Sequence, residues 1–162
     1  MTPSFDIAVV GATGTVGETI VQMLEEREFP VGKLHLLASS ESDGQSVPFR
    51  GKNVRVRDVD AFDFSSVQLA FFAAGPAVTL SFAAKASAAG CMVIDLSGAL
   101  PSAQAPHVVP EANAQVLDSL KKPLQVEPFC DRSGRGVDAL AWIDGHPAGE
   151  RHRLYGGLDS RP

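Results

Sequence analysis

Three glycines spaced three residues apart lie between an apolar segment and a helical pattern, in Gly11-Ala-Thr-Gly-Thr-Val-Gly17. Glycines at such a turn let main-chain N–H groups approach a pyrophosphate, which the positive end of the helix dipole also attracts. The spacing is G-x-x-G-x-x-G rather than the commoner G-x-G-x-x-G. The alternative is a tight turn with packing glycines and no ligand. We expect nucleotide contacts from these residues of the turn: Gly11, Thr13, Gly14, Thr15, Val16 and Gly17.

The end of the second apolar segment is where a dinucleotide site distinguishes NAD from NADP. Ser39 and Ser40 stand there, Glu41 and Asp43 follow, and the next cation along the chain is Arg50. The two serines could hydrogen-bond a phosphate, whereas the two carboxylates would repel it. The loop therefore favours NAD if it faces the ribose, and the alternative is an acidic loop in contact with solvent only.

Two further segments end apolar strands on the side where a parallel sheet binds ligands. Ala74 and Gly75 are small enough for a ribose or nicotinamide to lie against them, although they also suit the start of a helix. Asp95 could position substrate or cofactor, or it could cap its own following loop. The sequence leaves both alternatives open.

Cys130 is the only plausible nucleophile, because Cys91 stands at the head of an apolar segment and is expected to be buried and inert. Arg132 and Arg135 could favour the Cys130 thiolate. His107, between Pro106 and valines, is more typical of a packed side chain than of a catalytic one. Two cysteines cannot form a disulfide framework, and no metal-ligand spacing occurs, so a reducing compartment and no metal are expected.

Apolar segments alternate with helical patterns over residues 1–126, which predicts an α/β fold. We expect a Rossmann-like, doubly wound and mostly parallel sheet with helices on both faces. The predicted strands are residues 5–10, 34–38, 68–73 and 91–96, with a hairpin at 47–57 and an extended piece at 107–110. The predicted helices are residues 18–28, 78–89 and 114–120, the last with Asn113 as its N-cap.

Residues 127–162 contain Arg but no Lys, and their apolar periodicity fades. We interpret them as a separate irregular tail, either poorly ordered or a non-native ending. The whole chain of 162 residues is 44% hydrophobic and 20% charged, which excludes disorder throughout. Its net charge of −5 disfavours nucleic acid and anionic membranes as partners. Gly75-Pro76 interrupts the uncharged residues 64–84, and no signal peptide is evident, so no membrane span and a cytoplasmic location are expected.

Several segments, in the same order along the chain, resemble aspartate-semialdehyde dehydrogenases from about residue 5 to about residue 125. They include the glycine-rich turn, Leu36-Leu-Ala-Ser39, Phe72-Ala-Ala-Gly75, Val93-Ile-Asp95 and Val108-Val-Pro-Glu-Ala-Asn113. The resemblance implies an NADP-binding domain of a homo-oligomeric enzyme of amino-acid biosynthesis. It also implies reductive dephosphorylation of an acyl phosphate to an aldehyde, through a Cys thioester with a His as acid and base.

The sequence departs from that family at several positions. Glu41 stands where the family has a basic residue, and no Arg or Lys occurs between Leu96 and Val109, where the family binds substrate phosphate. Only Pro128 and Cys130 match the nucleophile motif. The family's second domain, which carries much of the oligomer interface, is not expected in this chain. We therefore predict the NAD(P)-binding half of such an oxidoreductase, inactive as this chain alone.

The alternative is a non-catalytic dinucleotide-binding or interaction module. A short-chain reductase is disfavoured, because no Tyr-x-x-x-Lys pair occurs in the sequence.

Overall fold

In the part of the chain that the structure describes, short apolar, β-branched segments form the strands of one sheet, and the segments between them supply two helices. The computed structural model describes residues 4–101, 103, 105–108 and 125–128. The strands are β1 (Phe5–Val10), β2 (Val31–Ala38), β3 (Ser46–Phe49), β4 (Lys52–Asp58), β5 (Leu69–Phe72), β6 (Met92–Asp95), β7 (His107–Val108) and β8 (Gln125–Pro128). The helices are α1 (Thr15–Glu26) and α2 (Pro76–Ala88).

The strand order is β3-β4-β2-β1-β5-β6-β8-β7. Every neighbouring pair runs parallel except the hairpin of β3 and β4. After β1 the chain moves to β2 on one side and returns to β5 on the other. The connection changes direction at β1, and a crevice forms outside the carboxyl ends of the strands at such a point. The predicted α/β, doubly wound fold is confirmed.

Each face of the sheet carries its own apolar core, because side chains alternate along a strand. Helix α1 buries Ile20, Val21 and Leu24 against one face. Helix α2 contributes Ala83 and Ala86 to the core on the other face. The central strands are buried on both sides, which explains their continuous apolar sequences. A sheet packed on both faces gives the crevice at its edge a rigid base.

The predicted elements recur with shifted ends, and one strand was not predicted. Helix α1 ends at Glu26, four residues before Pro30, and β2 begins already at Val31. Strand β8 has no run of apolar residues, so its sequence did not indicate a strand. It crosses the predicted boundary at residue 126 and pairs with β6 through Val93↔Gln125 and Ile94↔Val126. The predicted helix at 114–120 and its cap Asn113 lie outside the described residues.

No helix in the described part of the chain has the length and apolar composition needed to cross a membrane.

Candidate functional site

The glycine-rich turn and the turn after β5 are in contact at the carboxyl edge of the sheet. Gly11 has a φ of +85°, a conformation that favours glycine. A Cβ at Gly11 would lie 2.7 Å from the backbone nitrogen of Ala74. The Ala73 N–H donates to the Val10 carbonyl at 2.8 Å, which joins the two turns directly after their strands. Gly11 is therefore required by close backbone packing at the base of the crevice.

The other two glycines of the turn have opposite surroundings. A Cβ at Gly17 would overlap the Gly11 carbonyl oxygen, so Gly17 lets α1 pack against the turn. A Cβ at Gly14 would have one neighbour, the same carbonyl oxygen at 3.5 Å, which is an ordinary contact. Gly14 is also exposed. Protein packing explains Gly11 and Gly17, whereas the space beside Gly14 is open to solvent and can admit a ligand.

The amino end of α1 offers hydrogen-bond donors to that space. Gly14 is the N-cap and supplies no side-chain cap. Within the described residues, the backbone N–H groups of Thr15, Val16 and Gly17 have no hydrogen-bond acceptor. The Val16 side chain is 48% exposed, an unusual position for a large apolar group. Free N–H groups at the positive end of a helix suit an anion, and the apolar surface beside them suits a ring.

The loop after β2 lies against the glycine-rich turn. The N–H groups of Gly11 and Ala12 donate to the Leu37 carbonyl at 2.8 and 3.1 Å. The loop also approaches the turn through side chains, because the hydroxyl oxygens of Thr13 in the turn and Ser42 in the loop are 3.5 Å apart. Residues 40–42 form a single 3-10 turn.

The predicted contacts Ser39 and Ser40 are exposed in this loop, as are Glu41 and Asp43. Ala74 is half-buried and Gly75 is exposed, with no atom within 4 Å of a Cβ at Gly75. Every predicted cofactor contact thus lies in one of three segments at the same edge of the sheet.

Two cations that the sequence pattern did not indicate lie beside this loop. Strand β4 runs parallel to β2 and places Arg57 opposite Leu37. Arg55, two residues earlier, lies on the same face of the strand, and its Nη2 is 3.6 Å from a Cβ built on Gly44. Both arginines are exposed, and neither guanidinium has a hydrogen bond or an ion pair within the described part of the chain.

Along the chain these arginines are more than ten residues from Ser39, and the pairing of β4 with β2 brings them close to the end of β2. A prediction that β4 pairs with β2 would have been the signal that located these two arginines.

The half-buried His35 lies near Arg57. Burial lowers the pKa of His35 below its usual value of 6.5, and the positive charge of Arg57 lowers it further. The Phe62 ring packs against the imidazole, with centroids 5.2 Å apart. The imidazole therefore favours its neutral form on this face of the sheet.

Asp95 is fully buried, and its carboxylate binds its own following loop. It accepts hydrogen bonds from the Ser97 N–H at 2.8 Å and the Ser97 hydroxyl at 2.6 Å. The N–H groups of Ala99 and Leu100 each donate to the other carboxylate oxygen at 3.1 Å. The Ser97 hydroxyl also lies 2.9 Å from that of the buried Thr79 on α2. Of the two alternatives for Asp95, the structure shows the loop cap.

The expected nucleophile Cys130 lies outside the described residues, and so does the side chain of His107. Cys91 is fully buried, as its apolar context predicted. The described residues contain no group of three or more His, Cys, Asp or Glu side chains that could hold a metal ion.

Comparison with known proteins identifies the family. The family model described as semialdehyde dehydrogenase, NAD binding domain, matches residues 6–120. A protein from Azotobacter vinelandii named USG-1 protein homolog is 64% identical over 126 residues, which are 78% of this chain and 38% of that protein.

Two solved structures share the fold and much of the sequence. A probable aspartate-semialdehyde dehydrogenase from Pseudomonas aeruginosa has a TM-score of 0.77 and 53% identity, over 79% of this chain and 38% of the other. Aspartate semialdehyde dehydrogenase II from Vibrio cholerae, complexed with ASA, has a TM-score of 0.74 and 42% identity, over 79% of this chain and 42% of the other. The chain spans about two fifths of the length of these relatives. It belongs to the semialdehyde dehydrogenase family, of which it carries the NAD-binding domain.

Proposed function

We propose that the glycine-rich turn binds the pyrophosphate of a nicotinamide dinucleotide. The observation that carries this proposal is the uncapped amino end of α1 at Gly14. The N–H groups of Thr15, Val16 and Gly17 have no acceptor among the described residues, and an anion would satisfy them. The bound dinucleotide would supply hydride transfer. The chain would orient the dinucleotide through the exposed backbone at Gly14 and through Ala74 and Gly75, which lie beside the glycine-rich turn.

The substrate we propose is an aldehyde or acyl phosphate of the aspartate-semialdehyde type. The similarity to aspartate-semialdehyde dehydrogenases, among them the Vibrio cholerae enzyme complexed with ASA, supports this substrate class. We propose Cys130 as the nucleophile, on the family resemblance of Pro128 and Cys130 alone. We also propose that this chain does not turn over by itself, because no Arg or Lys between Leu96 and Val109 can hold a substrate phosphate.

The second candidate is a dinucleotide-binding module without catalysis. It is favoured by the same missing cation, and by the position of Asp95, whose carboxylate caps its own loop rather than facing a substrate. Reduction of NAD or NADP by this chain in the presence of semialdehyde and phosphate would exclude the second candidate and the proposed inactivity. Both candidate functions require dinucleotide binding.

We propose that the dinucleotide-binding unit runs to Pro128, two residues beyond the boundary that composition indicates. The pairing of β8 with β6 supports this limit, since a domain boundary rarely cuts a paired strand. The irregular tail was predicted over residues 127–162, and of these the structure describes only 127 and 128.

Calorimetric titration with NAD and NADP tests dinucleotide binding. Gly14 has a φ of −87° and a ψ of 163°, which valine adopts without strain. The Gly14→Val side chain would fill the space that the pyrophosphate needs, and we expect an affinity loss of about 100-fold or more for both dinucleotides. The matched control is Ser81→Val on the exposed side of α2, which should leave affinity unchanged. Equal binding by the wild type and Gly14→Val would refute the proposed site.

A further inference from the structure

We propose that Arg55 and Arg57 bind the 2′-phosphate of NADP and so determine which dinucleotide this chain prefers. The inference rests on the proposed function, because it concerns the ribose end of the same ligand. It opposes the preference for NAD that the acidic loop residues Glu41 and Asp43 predict by themselves. The difference arises because the cations come from the neighbouring strand rather than from the loop.

The pairing of β4 with β2 places both arginines near the point where β2 ends. Arg57 lies opposite Leu37, and the next pair, Ala38 and Asp58, is the last of this ladder. Ser39 follows Ala38 directly. Alternate residues of a strand share a face, so Arg55 and Arg57 project to the same side of β4. The adenosine ribose of a dinucleotide binds at the end of β2 in this fold class.

The loop after β2 folds back along the outer edge of β4. The Gly44 N–H donates to the Val56 carbonyl at 3.1 Å, and the Val56 N–H donates to the Gln45 carbonyl at 2.8 Å. This pairing brings the loop to the Arg55 guanidinium, whose Nη2 is 3.6 Å from a Cβ built on Gly44. At its other end the loop approaches the glycine-rich turn through Ser42. The guanidinium and the phosphate-binding turn therefore lie against one short loop.

The chemistry of a phosphate monoester matches these groups. A guanidinium presents paired N–H donors to two phosphate oxygens, and charge-assisted bonds of this kind are among the stronger polar contacts. Within the described residues neither guanidinium has a hydrogen-bond or ion-pair partner to give up. NAD has a hydroxyl in place of the phosphate and gains little from two nearby cations. Two arginines also offset the repulsion that Glu41 and Asp43 impose on the phosphate.

The test is a calorimetric titration of the full chain with NADP, NAD and adenosine 2′,5′-bisphosphate. The variants are Arg55→Gln and Arg57→Gln, which remove one charge each from exposed positions. The matched control is Lys52→Gln, which removes the same charge from the opposite end of β4, beside Phe49. The unfolding temperature of each variant shows whether the fold is retained.

We expect each arginine variant to weaken NADP and the bisphosphate by about tenfold and to change NAD by less than about twofold. Lys52→Gln should leave the ratio of the two affinities unchanged. The inference is overturned if the arginine variants weaken NAD and NADP equally, leave NADP unchanged, or act no more strongly than Lys52→Gln. If the wild type binds neither dinucleotide, the proposed function fails as well. If NAD binds normally but the arginine variants leave the ratio of NADP to NAD affinity unchanged, this inference fails and the proposed function stands.

Discussion

Gly17 lies so close to the Gly11 carbonyl that no side chain fits between them. A Cβ on Gly17 would overlap that oxygen and would lie 2.8 Å from the Ala12 Cα. Both neighbours are backbone atoms and cannot rotate away. The first turn of α1 is therefore locked onto the glycine-rich turn, and this contact fixes the direction in which the helix N–H groups point.

The first prediction concerns this contact. Gly17→Ala should lower the free energy of unfolding by about 3 kcal/mol or more, because the backbone must shift to admit a methyl group. Urea unfolding followed by circular dichroism measures the change. Gly14→Ala is the matched control, and its loss should stay below about 1 kcal/mol, since its Cβ meets one atom at 3.5 Å. Equal losses in the two variants would contradict the packing argument.

The second prediction concerns the buried carboxylate. Asp95→Ala should cost about 2–4 kcal/mol of unfolding free energy, because the Ala99 and Leu100 N–H groups lose their acceptor inside the protein. Ser97→Ala removes one hydroxyl and leaves those N–H groups paired, so it should cost about 1 kcal/mol. Chemical denaturation of both variants gives the comparison. An Asp95→Ala loss no larger than that of Ser97→Ala would show that the cap contributes little.

The sequence predicted those parts of the site that are contiguous along the chain. The glycine-rich turn, the end of β2 and the turn after β5 each follow an apolar strand directly, so each could be placed at the same edge of the sheet. Arg55 and Arg57 could not be placed there, because their position depends on which strand pairs with β2. That pairing is decided by packing between distant segments.

The two roles open for Asp95 illustrate a second limit. An aspartate after a strand suits a ligand contact and a loop cap equally, and only the positions of the N–H groups of the loop distinguish them. Strand β8 shows a third limit. Gln125–Pro128 has little apolar character, so its own residues do not indicate a strand. Its position is set by backbone pairing with β6 in the sheet.

The third prediction concerns pH. The pKa of His35 is below 6.5 in the folded protein, chiefly through burial and then through Arg57, so the unfolded chain binds a proton more readily. The contribution of His35 to stability is therefore full above pH 6.5 and is lost as the pH falls through 6.5 toward the folded-state pKa. Unfolding free energies at about pH 7.5 and about pH 5.5 measure this loss, which should shrink in His35→Gln. A loss of the same size in His35→Gln would assign it to other groups.

The fourth prediction tests the cause of that shift. Arg57→Gln should raise the pKa of His35, because it removes a positive charge that disfavours the imidazolium. Titration of the imidazole resonances by NMR gives the pKa directly. Arg50→Gln is a poor control, because Arg50 donates a hydrogen bond to the Phe29 carbonyl and its loss would also change that contact. Lys52→Gln serves as the control instead. An unchanged His35 pKa in Arg57→Gln would show that the Arg57 charge does not contribute to the shift.

The fifth prediction concerns turnover. The full chain should not reduce NAD or NADP in the presence of aspartate semialdehyde and phosphate, because no Arg or Lys lies between Leu96 and Val109, where the family resemblance implies a phosphate-binding Arg. Absorbance of the reduced nicotinamide measures the reaction. Turnover that disappears in Cys130→Ala would establish catalysis by this chain and would contradict the prediction.

The most direct test of the central claim is an NMR titration of the full chain with NAD and with NADP, observing backbone amide resonances. If the pyrophosphate is held by the amino end of α1, the amides of Thr15, Val16 and Gly17 should show the largest shifts, with those of Ala74 and Gly75 next. Amide shifts that leave the glycine-rich turn unchanged, or are largest at the opposite edge of the sheet, would contradict the account.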